Sequence, residues 1–147
     1  MAVYSLADYI LTITKIISDA EVSSIQIGGT GSMLDSMSIN RNESTWSIKG
    51  DYTGGYVHEK NYNKVGTVSL TLNQLSPNVG KFISLCNVYA RHDVDIDEGM
   101  TMTLTDSQGE IIATCTDCMP QGIPEQRLGT STENQTWTFN CGIIEFN

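Results

Sequence analysis

Three segments of this chain alternate apolar side chains with hydroxyl or amide ones. Val68, Leu70 and Leu72 alternate with Thr67, Ser69 and Thr71; Met102 and Leu104 with Thr101, Thr103 and Thr105; Trp137, Phe139 and Cys141 with Thr136, Thr138 and Asn140. No Lys, Arg, Asp or Glu interrupts Gly66–Leu72, Thr101–Thr105, Ile111–Thr116 or Thr136–Cys141. Alternation of period two dictates strands with one face on a core. A solvated outer face ordinarily carries Lys and Glu, which stop strand edges from pairing with other molecules. An uncharged hydroxyl face therefore suits a surface that meets another copy of the protein, or one that must not grip what slides past it. That pattern predicts assembly rather than catalysis.

The rest of the chain fits one domain of all-β character with a single helix. At 147 residues it is long enough for a real core. A first strand is expected at about Tyr9–Ile17 and a short second one at Val22–Ile27. Gly28–Ser32, with three glycines in five residues, reads as a turn. Strands follow at about Met33–Ile39 and Thr45–Gly50, joined by the polar link Asn40–Ser44. The longest excursion, Asp51–Lys64, has Gly54 and Gly55 at its middle and Tyr52, Tyr56 and Tyr62 around them. Loops of this length usually have a job. Because Gly66–Leu72 returns as a strand, the excursion predicts a protruding hairpin arm.

Helical spacing appears once. Ser76 can cap a helix with Pro77 at its first position, and Val79, Phe82, Ile83 and Cys86 form an apolar stripe over about Pro77–Tyr89. Beyond an acidic link, Met100–Thr105 and Glu110–Cys118 form a hairpin around Asp106–Gly109. A polar loop, Met119–Asn134, leads to a last strand at Gln135–Phe146. Seven or eight strands and one helix without βα alternation predict a β-sandwich or barrel of two antiparallel sheets.

Several constellations invite a chemical reading and fail on spacing. Cys115 and Cys118 form a CxxC within a predicted strand, where residues three apart should face opposite sides and share no metal. Asp93–Gly99 begins like a calcium loop, but the sixth and twelfth positions are Glu98 and Leu104 instead of Gly and Glu. Gly28–Ser32 lacks the lysine of a phosphate loop. His58 and His92 adjoin no nucleophile signature. No catalytic, metal or cofactor site is expected, and an enzyme is not the expectation. The arm residues Asp51, Tyr52, Gly54, Gly55, Tyr56 and Tyr62 are the better candidates: aromatics dominate interface hot spots, and glycines let backbones approach closely.

The net charge of −9 argues against a sequence-reading nucleic-acid binder, though not against a surface that confines nucleic acid while repelling it. Met1–Asp8 lacks the basic and apolar regions of a secretory signal. No apolar run approaches the ~20 residues of a membrane span. Production and assembly in a cytoplasm, with the four cysteines reduced, are the expectation.

Several long blocks, in order, carry a resemblance. Ser36–Asp51, Thr53–Lys60, Val68–Pro77, Met102–Asp106 and Thr136–Gly142 resemble tail tube proteins of contractile-tailed bacteriophages, over roughly Met33 to Asn147. The resemblance implies hexameric rings whose sheets join into one continuous inner β-barrel, and rings that stack into a tube. It implies a sheath protein outside, a tape-measure protein and transiting DNA in the lumen, and baseplate and terminator proteins at the ends. Its implied setting is the virion tail, assembled in the host cytoplasm. The arm at Asp51–Lys64 takes the place of the family's long hairpin loop, which touches neighbouring subunits. No catalytic residue transfers.

Under this resemblance the hydroxyl ladders Thr67/Ser69/Thr71 and Thr101/Thr103/Thr105 become candidates for a lumen or an interface. Two other readings stay open. One is a tube subunit of a related contractile injection or type VI secretion system. The other is a carbohydrate-binding β-sandwich that stacks sugars on Trp46 or Trp137, although both tryptophans lie on the apolar parity of their strands and are expected in the core.

Overall fold

The computed structural model describes residues 3–20 and 22–147; Met1 and Ala2, part of the N-terminal stretch read above, lie outside the described residues, as does Glu21. The strands are β1 (Ile10–Thr14), β2 (Ile25–Gly28), β3 (Leu34–Arg41), β4 (Trp46–Gly50), β5 (Tyr56–Lys60), β6 (Gly66–Asn73), β7 (Met100–Thr105), β8 (Ile111–Pro120) and β9 (Asn134–Phe146). The helix α1 spans Pro77–Tyr89, and a 3-10 turn covers Leu6–Asp8. Seven strands form one antiparallel sheet in the order β2-β1-β7-β8-β9-β6-β3, while β4 and β5 form a sheet of their own. The fold is mostly β with one helix, as expected, and its two antiparallel sheets are very unequal.

The alternation in the sequence decides what this larger sheet buries. Val68, Leu70 and Leu72 on β6 are fully buried beside Trp137, Phe139 and Cys141 on β9, Met100 and Met102 on β7, and Leu11 and Ile13 on β1. Each such side chain contributes roughly 1.5–3 kcal/mol when removed from water. The helix covers this apolar face: the Phe82 ring lies 5.4 Å from Trp137 and 5.7 Å from Phe139. Val79, Phe82, Leu85 and Cys86 of α1 are buried, and Ile83 is packed against the same core. Leu85 joins the stripe because it lies three residues beyond Phe82 on the same side of the helix.

The start of α1 is tied into the sheet region by one serine. The Ser76 hydroxyl accepts from the Asn78 N–H and donates to the Ser32 carbonyl at 2.6 Å. Ser32 in turn closes the Gly28–Ser32 turn by donating to the Gly28 carbonyl at 2.6 Å. Gly28 has φ +124, and a side chain there would collide with the Tyr9 carbonyl. This glycine segment is therefore a structural turn that seats the helix.

Two expectations about faces require correction. Trp46 is not in the core: it is 58% exposed, because β4 belongs to the two-stranded sheet and has no core beneath it. Cys115 and Cys118 do not face opposite sides; both are buried. Asp117 between them adopts a left-handed backbone (φ 57), and the β7–β8 register slips between Met100 and Met102. Such an irregularity resets the in–out alternation. On the paired strand the alternation resets as well, at Gly142, so Cys141 and Ile144 are both buried.

Candidate assembly surfaces

The arm is the far half of one long hairpin. β3 and β6 pair from Leu34↔Leu72 to Arg41↔Gly66, the ladder breaks, and β4 and β5 resume it from Trp46↔Lys60 to Gly50↔Tyr56. Two backbone bonds bridge the break, from the Asn42 N–H to the Val65 carbonyl and from the Asn61 N–H to the Thr45 carbonyl. The arm thus begins at about Asn42 rather than Asp51, and Asp51–Lys64 comprises its tip and returning strand. Every residue of β4 and β5 is exposed.

Register fixes the two faces of this ribbon. Trp46 stands opposite Lys60, Ile48 opposite His58 and Gly50 opposite Tyr56, so Trp46, Ile48, Tyr56 and His58 share one face. Ser47, Glu59, Lys49 and Val57 share the other. The Tyr56 and His58 rings meet edge to face at 5.8 Å. The Lys60 ammonium lies over the Trp46 ring at 5.4 Å and the Tyr62 ring at 4.8 Å. Ile48 is 64% exposed and Tyr56 72% exposed. An isolated two-stranded ribbon is marginal in water, and this one carries a largely exposed aromatic face. Parity could have grouped Trp46 with Ile48, but the sequence gives no sign that their face lacks a cover.

Asp51 builds the tip. Its Oδ1 accepts from the Thr53 hydroxyl at 2.7 Å and from the Thr53 and Gly55 N–H groups at 2.9 Å each. These bonds, led by the Thr53 hydroxyl, hold its carboxyl below the usual carboxylate range. Gly54 supplies the left-handed step (φ 93) that the turn requires. Tyr52 is carried at the tip, fully exposed. Asp51, Gly54 and Gly55 thus shape the tip, while Tyr52 and Tyr56 present its aromatic surface. Tyr62 lies beyond β5, under Lys60.

The hydroxyl ladders lie together on the face of the seven-stranded sheet turned away from the core. Across β3, β6 and β9 the rows read Ser36–Thr71–Thr136, Ser38–Ser69–Thr138 and Asn40–Thr67–Asn140. The Thr71 and Thr136 hydroxyls are 3.1 Å apart, and the Thr67 hydroxyl donates to Asn40 Oδ1 at 3.1 Å. Across β1, β7 and β8, Thr12 stands beside Thr103 and Thr103 beside Thr114, with Thr14 beside Thr101. The Thr105 hydroxyl is engaged by the Ile10 carbonyl at 3.3 Å. Glu145 enters this face beside Thr114 and is paired with Lys64 at 3.1 Å. The two ladders are thus parts of one polar, weakly charged surface.

The sheet also ends in two strands with free edges, β2 and β3. The eight-residue β3 carries charge only at Asp35 and Arg41. An edge this long and this lightly guarded is a template for pairing with another chain.

Comparison with known proteins bears on the chain as a whole. No curated protein resembles the chain at the level of sequence. Among solved structures, the tube-terminating cap of the anti-feeding prophage matches with a TM-score of 0.51 at 14% identity, over 100% of this chain and 94% of that one. The sheath–tube complex of the extracellular contractile injection system PVC, in its extended state, matches with a TM-score of 0.51 at 13% identity over 97% and 91% of the two chains. The sheath/tube terminator of the same system matches with a TM-score of 0.53 at 10% identity over 100% and 98%. At these identities the likeness is one of fold. The family model of the Bacteriophage PhiTE tail tube protein matches residues 1–147. The chain belongs to that family and is a structural subunit of a phage tail tube.

Proposed function

We propose that six copies of this chain close into a ring, that rings stack into the inner tube of a contractile tail, and that the Ser/Thr/Asn face lines the lumen. The exposed aromatic face of the arm carries this reading, because Trp46, Ile48 and Tyr56 each stay more than half exposed among the described residues, with only the Lys60 side chain over Trp46. In the tube, the arm of one copy lies on its neighbour, which buries that face. The free edges of β2 and β3 pair between neighbours, so the seven-stranded sheets continue into one barrel and no edge is left. A lumen built mainly of hydroxyls and amides, with the Lys64 ammonium paired to Glu145, offers few cations to phosphate, and each such contact would add electrostatic affinity for passing DNA. The net charge of −9 works in the same direction.

Around this tube we place a sheath protein outside, a tape-measure protein and the transiting genome within, and baseplate and terminator proteins at the ends. Assembly takes place in the host cytoplasm, and the tube ends in the virion tail. The carbohydrate-binding alternative is disfavoured: although Trp46 is exposed, the Lys60 ammonium already lies over both it and Tyr62.

The test is assembly at high protein concentration with the tape-measure protein and a baseplate platform, viewed by negative-stain electron microscopy. Rings or tubes are expected. The variant W46S/I48S/Y56S is expected to stay a folded monomer. A wild-type chain that remains monomeric under these conditions, or a triple variant that forms normal tubes, overturns the reading.

A further inference from the structure

The reset of alternation at Asp117 and Gly142 has a chemical consequence. It turns Cys118 and Cys141 toward each other as directly opposed residues of β8 and β9. Their sulfurs are 2.8 Å apart, and Cys118 is placed to donate to Cys141. Both are buried, and Cys115 lies in the same core, three positions away along β8 and opposite Ile144. All four cysteines are free thiols. Directly opposed residues of an antiparallel pair have Cα atoms about 4.5–5.5 Å apart, which falls within the range a disulfide spans. The backbone therefore needs no rearrangement to bring the sulfurs to bonding distance.

We propose that Cys118 and Cys141 are a disulfide-forming site, closed by a peroxide once the protein leaves reducing conditions. One thiol attacks the peroxide, the O–O bond breaks, and a sulfenic acid and one water form. The second thiol displaces that hydroxyl as water, leaving the S–S bond. Two thiols lose two electrons and two protons in total, and hydrogen peroxide is reduced to two waters. The cross-link joins strands whose linked residues lie 23 positions apart and closes the base of the loop between β8 and β9. Cys115 is the competing partner, and its order in the cluster explains why it loses. It stands opposite Ile144 rather than a cysteine.

The surroundings also set the pace. Contact with Cys141 and then burial push the Cys115 thiol up. For Cys141, contact with Cys115 lowers while contact with Cys118 and burial raise, leaving it pushed up to about 12. Protonated, buried thiols react slowly, so closure proceeds through transient opening of the β8–β9 pair and takes much longer than oxidation of an exposed thiol.

The experiment treats the purified, folded chain with hydrogen peroxide, then blocks free thiols under denaturing conditions and maps peptides by mass spectrometry. Two blocked thiols, Cys86 and Cys115, and one Cys118–Cys141 cross-linked peptide are expected. The melting temperature should rise by roughly 5–10 °C, and a reductant should reverse the rise. Cys115→Ala should still close the bond; Cys118→Ser should not. Four blocked thiols after treatment, or a cross-link through Cys115 or Cys86, overturns the proposal. If Cys118→Ser fails to fold, Cys115→Ala and the peptide map of the wild type decide alone.

Discussion

β6 and β4 are both strands with alternating apolar residues, yet their fates differ. Val68, Leu70 and Leu72 on β6 are fully buried, whereas Trp46 and Ile48 on β4 stand 58% and 64% exposed. The difference lies in what the chain places over each face. β6 has β3 and β9 at its sides and α1 above its apolar face, while β4 has only β5. Alternation tells which side chains share a face, and the partner that covers the face can come from the same chain or from another. In the larger sheet the cover is internal and stabilises the monomer. In the arm it is missing among the described residues, and the proposed ring would supply it from a neighbouring copy.

This contrast can be broken most strongly in the sheet body. Phe82→Ala removes a ring packed on both Trp137 and Phe139, and is expected to cost about 3–5 kcal/mol of stability. Chemical denaturation would measure that loss, and assembly would fail along with folding. A smaller effect is expected at the junction of the two regions. A side chain added at Gly66 would collide with the Asn40 carbonyl oxygen and with Ile144. Gly66→Ala should therefore cost roughly 1–3 kcal/mol by the same measurement. In the arm the balance inverts: W46S, I48S and Y56S should each leave monomer stability within about 0.5 kcal/mol of wild type. Their effect should appear only in assembly, read by sedimentation and electron microscopy.

The smallest effect belongs to the arm tip and depends on pH. The Asp51 carboxyl is held below its ordinary value by the Thr53 hydroxyl and the Gly55 and Thr53 N–H groups. A depressed folded-state value means that the tip is stabilised fully above about pH 4, the ordinary Asp range, and loses that contribution as pH falls through the lower folded value. Amide exchange measured by NMR should show the Thr53 and Gly55 N–H groups losing protection in acid before those of β6 do. Equal loss in both regions would mean that the tip has no separate acid response.

Much of this was legible from residue order. Ser76 and Pro77 mark the start of α1, and the helix runs from Pro77 to Tyr89 as their spacing predicts. The hydroxyl alternation located β6, β7 and β9, because each of those strands is buried on one side by its own chain. Where a strand leaves the larger sheet, parity misleads: Trp46 has the parity of a core residue and lacks a core. It also misleads where the backbone leaves regular geometry. A single left-handed residue, Asp117, put Cys115 and Cys118 on the same face; Asp is among the few non-glycine residues that take this conformation, but residue type alone does not say which Asp of a chain will do so. The short β2 begins at Ile25 rather than Val22, and the strand expected at Thr45 starts at Trp46 within a separate ribbon. The hydroxyl ladders could be found residue by residue, but that they merge into one surface depends on register across seven strands.

Cryo-electron microscopy of the tube assembled from this chain is the most direct test of the central claim. In the resulting map Trp46, Ile48 and Tyr56 should be buried against a neighbouring copy, and Ser69, Thr71, Thr136 and Thr138 should face the lumen. A map in which the arm's aromatic face is free in solvent, or in which those hydroxyls lie on the outside of the tube, would contradict that claim.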